Sequence, residues 1–262
     1  MNTGIQDAHN LTWKLQLALQ NKAKYDALLS TYDTERRPIG KHVGTWSLHN
    51  LLSHAGVMDV ALGLSENKSV DENKANVASA FDPHHPEYTA KRAAIERAQK
   101  VLDTEFKAPG TEIGWFYPTA DAGGEGGTLH GGQLAEDGSL SFEFYVPGTI
   151  PGHHVPHAWV ERDGERRAVR DLVPLDNLLL LARRSGWEGL GDDRVRYEIV
   201  GEDGWDDVHG DWARSCGVSE DGAVLVRPDG IVAWRGEPSN MSPEIWSSLI
   251  DRILCCPTSS GI

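Results

Sequence analysis

The strongest constraint in this sequence is a change of periodicity near its middle. Over residues 1–106, apolar side chains recur at steps of three and four, the spacing of amphipathic helices. A stretch rich in glycine and proline follows at about 107–135 and predicts a domain boundary or a long loop. Beyond it, short apolar runs favour strands. The sequence therefore predicts a helical part, 1–106, joined to a sheet-containing part, 107–262, of α/β or α+β class.

The chain opens with a predicted amphipathic helix. Its apolar stripe is expected to consist of Ile5, Ala8, Leu11, Leu15 and Leu19. Thr3 and Gln6 have the spacing of a capping box, in which two side chains satisfy backbone N–H groups at the helix start. Asp7 is expected in the first turn, where its charge interacts favourably with the positive end of the helix.

Further helices and one loop are predicted before residue 107. A second helix is expected from about Tyr25 to Arg37, and Pro38 is expected to end or kink it. Its buried face would carry Tyr25, Leu28, Leu29 and Tyr32. The next helix would be marked by Val43, Trp46, Leu51 and Leu52. Residues 65–86 are polar and contain two prolines, which predicts a surface loop. A last helix would have Ala94, Ala98, Val101, Leu102 and Phe106 on its inner stripe.

The C-terminal part reads as strands followed by one helix. Strand-like runs occupy 156–162, 167–173, 177–183 and 195–201. The clearest local signal is GAVLVRPDGIVAWRG at 222–236, where Pro228-Asp229-Gly230 predicts a tight turn between two strands. A final helix is expected to begin after Ser242, with Pro243 in the first helical position.

Charge and cysteine content exclude several classes of partner. The net charge of −14 would repel nucleic-acid phosphates and an anionic membrane surface. No apolar run approaches the roughly 20 residues that span a bilayer, and the first residues lack a secretory pattern. The cysteines are Cys216, Cys255 and Cys256. Their odd number and the adjacency of two of them argue against a disulfide framework, so a reducing, cytoplasmic compartment is expected.

No motif in the sequence forms an active site by itself. The run GGEGGTLHGG has a leucine at the third glycine position of a dinucleotide fingerprint and no preceding strand, so a loop is predicted. His153, His154 and His157 form H-H-x-x-H, but flanking prolines exclude the helix that a zinc-binding H-E-x-x-H motif needs, which favours a structural role and no metal. No G-x-S-x-G elbow occurs, and Cys216 is expected to be a structural thiol. No catalytic residue is assigned.

Two N-terminal segments together resemble a long motif of the class A FAD-dependent aromatic hydroxylases. They are MNTGIQDAHNLTWKLQLAL at 1–19 and LLSTYDTERRP at 28–38. Within that family the likeness is to phenol 2-monooxygenases and 2,4-dichlorophenol 6-monooxygenases. YVPGTIPGHHVPHAWVE at 145–161 and the segment 222–236 resemble the C-terminal thioredoxin-like domain of these enzymes. The resemblance implies a helical remnant of the FAD-binding domain at 1–106 and a thioredoxin-like domain at 107–262.

The resemblance also implies a cofactor site at the start of the first helix. Backbone N–H groups of Met1, Asn2, Thr3 and Gly4 would face the N1–C2=O edge of the flavin. Free N–H groups and a positive helix end stabilise negative charge, which suits an electron-rich ring. Glu35, Arg36 and Arg37 are expected to brace the flavin domain through ion pairs and not to touch substrate.

Some family features are missing from the sequence. These are the Rossmann βαβ unit, the G-D motif near the flavin ribose, and any C-x-x-C in the thioredoxin-like part. The link of about eight residues before VRYEIV is too short for a full crossover helix.

Two functional hypotheses follow from this resemblance. The first is a portion of an FAD-dependent, NAD(P)H-using monooxygenase of phenolic compounds, inactive as an isolated chain. The second is a non-catalytic thioredoxin-like docking or homodimerisation protein, or one half of a split flavoenzyme whose partner supplies the FAD-binding half.

Overall fold

Two long helices form the N-terminal part of the molecule. The computed structural model describes residues 2–103, 105, 107–117, 134, 138, 140–141 and 144–257. Helix α1 spans Asn2–Gln20, and α2 spans Lys22–Ser53 and packs closely against it. Asn21 separates them and caps α2, since its side chain accepts a hydrogen bond from the Lys24 amide at 3.1 Å. Met1, Phe106 and the run GGEGGTLHGG lie outside the described residues.

The predicted buried stripe of α1 is wrong. Ile5 and Leu19 are 65% and 85% exposed, and Leu15 is also exposed. The buried residues are Asn10, Trp13, Lys14 and Ala18. Two of these are polar, and they can be buried because other polar groups bond to them in the folded chain. Apolar spacing alone could not reveal those partners.

The helix start also differs from the prediction. Because α1 already includes Asn2, Thr3 lies inside the helix and forms no capping box with Gln6. Asp7 lies beyond the first turn, where it pairs with Arg36 at 2.6 Å.

Helix α2 continues through Pro38, so the two helices predicted on either side of it are one. Ile39 beside the proline is buried, and its packing helps to offset the missing backbone hydrogen bond. Tyr25 and Leu28 are buried as predicted, whereas Leu51 and Leu52 are exposed. A π-helical turn, His54–Asp59, and α3, Val60–Leu62, follow and end at Gly63 with φ of 73°.

The segment predicted as a loop contains a helix. Helix α4 spans Val70–Ser79 and begins with a capping box, in which Ser69 and Glu72 bond to each other's backbone amides. Helix α5, Tyr88–Asp103, confirms the last predicted helix, with Ala98 and Leu102 buried, whereas Val101 of the predicted inner stripe is exposed. A short helix α6 spans Pro109–Glu112.

The C-terminal part contains two sheets. The smaller has the antiparallel order β2-β1-β5, from Glu165–Ala168, Trp159–Arg162 and Asp206–Asp207. The larger has the order β4-β3-β6-β7, from Val195–Ile199, Leu178–Ala182, Ala223–Val226 and Val232–Gly236. The run predicted as a strand at 167–173 becomes the end of β2 and a 3-10 turn, Val169–Leu172.

The larger sheet combines a parallel strand pair with an antiparallel hairpin. Strands β3 and β4 are parallel, and β6 and β7 add an antiparallel hairpin. The β3–β4 connection holds a 3-10 turn, Glu188–Leu190, where a full crossover helix was predicted not to fit. Helix α7 spans Asp211–Ser215, and α8 spans Pro243–Ile253 with Ser242 as its cap, as predicted.

The two faces of the larger sheet build two hydrophobic clusters. Leu178 and Leu180 of β3 pack with α1, α2 and α8, while Leu179 and Leu181 face the smaller sheet and α7. In the first cluster Trp234 meets Trp187 and Trp246 edge to face, with ring centroids 5.9 and 6.0 Å apart, and Trp187 is tilted against Trp246 at 6.5 Å. The helices thus share a core with the sheet across the predicted boundary at 106/107, which itself stays a prediction. Within the described residues, no helix is both long and apolar enough to cross a membrane.

Candidate functional site

The predicted cofactor-binding residues lie at an open helix end. Asn2, Thr3 and Gly4 form the first turn of α1, and Asn2 and Gly4 are exposed. Met1 lies outside the described residues. No side chain of the described part of the chain accepts a hydrogen bond from these three amides. A Cβ added at Gly4 would meet nothing within 4 Å. Among the described residues, these amides therefore keep their capacity to donate to an acceptor.

Arg36 adds positive charge beside this helix end. Its Nε donates to Asp7 at 2.6 Å, and a second nitrogen lies 3.4 Å from the Gln6 side-chain oxygen. The guanidinium also lies over the Trp115 ring, 4.9 Å from its centroid. Burial lowers the pKa of Arg36, but Tyr117 and Asp7 outweigh burial and raise this pKa above its ordinary value. Arg36 is thus a permanent cation beside the start of α1.

Glu35, the preceding residue, is the centre of a buried polar network. One carboxylate oxygen accepts hydrogen bonds from Lys14 Nζ and Asn10 Nδ2, both at 2.7 Å. Arg227 donates to both carboxylate oxygens, at 2.7 and 2.9 Å. Arg227 also donates to Asp229 at 2.6 Å. The network joins α1 and α2 to the turn of the β6–β7 hairpin.

The charges of this network balance one another. Lys14 and Arg227 are cationic, while Glu35 and Asp229 are anionic. Burial opposes ionisation of Glu35, but Arg227 and Lys14 lower the pKa of its carboxyl to about 2. Burial and Arg227 lower the pKa of Lys14, and the two carboxylates raise that of Arg227 despite its burial. Because each buried charge has a partner of opposite sign, the desolvation cost is offset.

The structure brings only part of the E-R-R-P motif into these contacts. Glu35 and Arg36 form buried ion pairs, as predicted for bracing residues. Arg37 instead points to solvent and pairs with Asp33 on its own helix. The ion pairs of Glu35 also extend further than predicted, because its partner Arg227 lies in the β6–β7 hairpin of the C-terminal part.

The other sequence candidates lie in packed or buried positions. His153 stacks on Phe116, His154 meets the Trp115 ring edge to face, and their ring centroids are 4.7 and 4.2 Å apart, respectively. Across the part of the chain that the structure describes, no three His, Cys, Asp or Glu residues are placed to hold a metal ion. Cys216 is fully buried, and its thiol lies 3.6 Å from the Ala213 carbonyl oxygen.

Sequence reasoning missed most of the buried network. Asn10 and Lys14 are four residues apart on α1 and flank Trp13, a spacing that could have indicated a polar buried face. Arg227 and Asp229 were visible only as residues in and beside a turn. Their role depends on the contact of Arg227 with Glu35, which lies 192 positions earlier in the sequence. A local sequence pattern cannot predict such a contact.

Comparisons with known proteins agree with this arrangement. The family model described as "FAD binding domain" matches residues 1–47, and the model described as "Aromatic-ring hydroxylase, C-terminal" matches residues 148–254. The chain is 34% identical over 270 residues to a phenol 2-monooxygenase of a Pseudomonas species, which covers 97% of this chain and 42% of that protein. A 2,4-dichlorophenol 6-monooxygenase of Delftia acidovorans is also 34% identical, over 89% of this chain and 40% of its own length.

The chain thus matches the FAD-binding and C-terminal regions of the flavin-dependent aromatic hydroxylases.

A solved member of this family has the same fold over nearly the whole chain. The flavin-dependent monooxygenase PieE, crystallised with FAD and substrate, superposes with a TM-score of 0.83 at 30% identity. The match covers 98% of this chain and 44% of PieE. The chain thus spans about two fifths of the length of the hydroxylases that it matches.

The network predicts that Glu35→Gln strongly destabilises the fold. The substitution leaves Lys14 and Arg227 with too little negative charge, and breaking a buried ion pair costs about 3–5 kcal/mol. Glu66→Gln, the same change at an exposed residue, is the control and should cost less than about 0.5 kcal/mol. Urea unfolding of both variants measures the difference. Similar losses in the two would show that the Glu35 charge is not needed.

The lowered pKa of Glu35 also predicts how stability depends on pH. Its folded-state pKa of about 2 lies below the ordinary value of 4.5, so its contribution is complete above pH 4.5 and is lost as pH falls towards 2. The free energy of unfolding should therefore fall more steeply in this window for the natural chain than for Glu35→Gln. Parallel pH profiles would contradict the assignment.

Proposed function

We propose that this chain is the C-terminal portion of an FAD-dependent monooxygenase that hydroxylates phenolic rings. One observation carries the proposal: within the described residues no side chain accepts a hydrogen bond from the amides of Asn2, Thr3 and Gly4, and Arg36 is fixed beside them. Matches to the phenol 2-monooxygenase and to PieE support it. The amides of Met1, Asn2, Thr3 and Gly4 are the groups that we assign to the flavin edge.

The residues at this helix end fit an electron-rich ring. Their amides need acceptors, and the positive end of the α1 dipole favours negative charge. The Arg36 cation adds to this potential and is held in place by Asp7. The absence of a side chain at Gly4 leaves room for a flat ligand to approach the backbone.

The protein contributes orientation and charge stabilisation at this end of the site. The helix amides would hold the ring edge, and Arg36 would raise the local potential without contacting substrate. FAD, reduced by NAD(P)H, supplies the redox and oxygen chemistry when bound. The buried network keeps α1 in register with the C-terminal sheet, so the helix end has a fixed position.

The 262-residue chain alone is expected to be inactive. With added FAD, NAD(P)H and phenol, it should consume no NAD(P)H above the rate without protein, because no dinucleotide-binding fingerprint was found in its sequence. Absorbance at the NAD(P)H band and product analysis measure this. Sustained turnover with a hydroxylated product would refute the inactivity.

The helix-end assignment predicts a local response to free riboflavin. Amide NMR resonances of Asn2–Gly4 should shift on titration, and Gly4→Glu should weaken the effect because its carboxylate repels the electron-rich edge. Gly40→Glu is the matched control, since Gly40 is also a helical, exposed glycine with nothing within 4 Å of an added Cβ. Shifts spread over the surface, or equal weakening by both variants, would contradict the assignment.

A second candidate is a docking role, and the exposed face of α1 favours it. Ile5, Leu15 and Leu19 leave an apolar surface that a partner protein would cover. A separate FAD-binding half would do so in a split enzyme, and a second copy would do so in a homodimer. Co-purification with a yellow, dinucleotide-binding protein favours the first, and a colourless dimer in sedimentation experiments favours the second.

A further inference from the structure

A small cavity lies between α1 and the C-terminal part, one to two turns beyond the helix start. It has a volume of about 150 Å³ and is lined by Gln6, His9, Glu112, Trp115, His154 and Arg170, among others. One water needs only about 10–15 Å³ of such a volume. The cavity therefore has room for a carboxylate or phosphate group.

The walls of this cavity hold buried donors that have no acceptor. His154 is 92% buried, being 8% exposed, and neither of its ring nitrogens has a hydrogen-bond partner within the described residues. The indole Nε1 of Trp115 is also buried and unpaired there. The half-buried Arg170 guanidinium makes no hydrogen bond or ion pair within the same part of the chain. Unpaired buried groups are costly, so such a concentration indicates a missing partner.

The acceptors around the cavity do not balance these donors. Asp229 lies in the wall, but Arg227 donates to both of its oxygens and Asn10 to one of them. Glu112 is exposed at the rim. Burial and the nearby Arg170 lower the pKa of His154 to about 3, so the ring is neutral at pH 7 and offers one N–H. Arg170 is therefore the cation of the cavity that no described carboxylate neutralises.

We propose that this cavity binds a small oxyanion, with Arg170 as its charge partner and His154 and Trp115 as further donors. The ligand chemistry is that of a carboxylate or an inorganic phosphate. Neither the flavin site nor the buried Glu35 network uses these donors, so the site is additional to the proposed monooxygenase function.

The full chain can be titrated directly with sodium phosphate, acetate and benzoate. The Trp115 indole N–H resonance, assigned by comparison with Trp115→Phe, should shift with saturation, and the melting temperature should rise. Comparing phosphate with acetate and benzoate shows whether the cavity prefers a phosphate or a carboxylate group. Sodium chloride at equal ionic strength controls for screening, and an equal shift in chloride would overturn the proposal.

Arg170→Met should weaken binding at least about tenfold, the loss expected for one charge-assisted hydrogen bond. Arg196→Met is the matched control, because Arg196 is exposed and pairs with Asp176 elsewhere. His154→Phe keeps the ring against Trp115 and should weaken binding while the chain stays folded. Unchanged affinity in Arg170→Met and His154→Phe overturns the proposal. The absence of a saturable Trp115 shift in the natural chain also overturns it, and this test does not require either variant to fold.

Discussion

The fold depends on the buried carboxylate of Glu35, which must pair with two cations. Glu35 of α2 is surrounded by Lys14 of α1 and Arg227 of the β-hairpin, and Asp229 balances the remaining charge. Hydrophobic packing tolerates small shifts, but a buried charge without its partner is strongly unfavourable. This requirement fixes the rotation of α1, and so it places polar Asn10 and Lys14 inward and Leu15 and Leu19 outward.

The same turn of α2 connects the core to the helix end. Glu35 faces the sheet, while the next residue, Arg36, reaches Asp7 and Gln6 near the start of α1. One turn therefore sets both the register of the helix on the sheet and the potential at its open end. Under the proposed function, a cofactor site at that helix end would inherit its position from a contact with the distant hairpin.

The sequence could predict elements whose signals are local. The hairpin around Pro228–Gly230, the cap at Ser242 and the strands of the larger sheet follow from neighbouring residues, and the structure confirms them. The capping box before α4 is equally local, but the proline and polar residues around it favour a loop in the sequence. The buried face of α1 was not predictable in this way, since periodicity locates apolar stripes and not the polar groups that meet distant partners. The open helix end came from family resemblance, and its neighbour Arg36 from the same motif.

The separation of Glu35 and Arg227 along the chain has a consequence during synthesis. The two residues lie 192 positions apart. At a translation rate of about 5–20 residues per second, the arginine leaves the ribosome roughly 10–40 s after the glutamate. Throughout that interval the nascent helices cannot bury Lys14 and Glu35 in their final surroundings, and closing so large a loop carries an entropic cost. The N-terminal helices are thus expected to remain loosely docked and accessible to chaperones until the hairpin has left the ribosome.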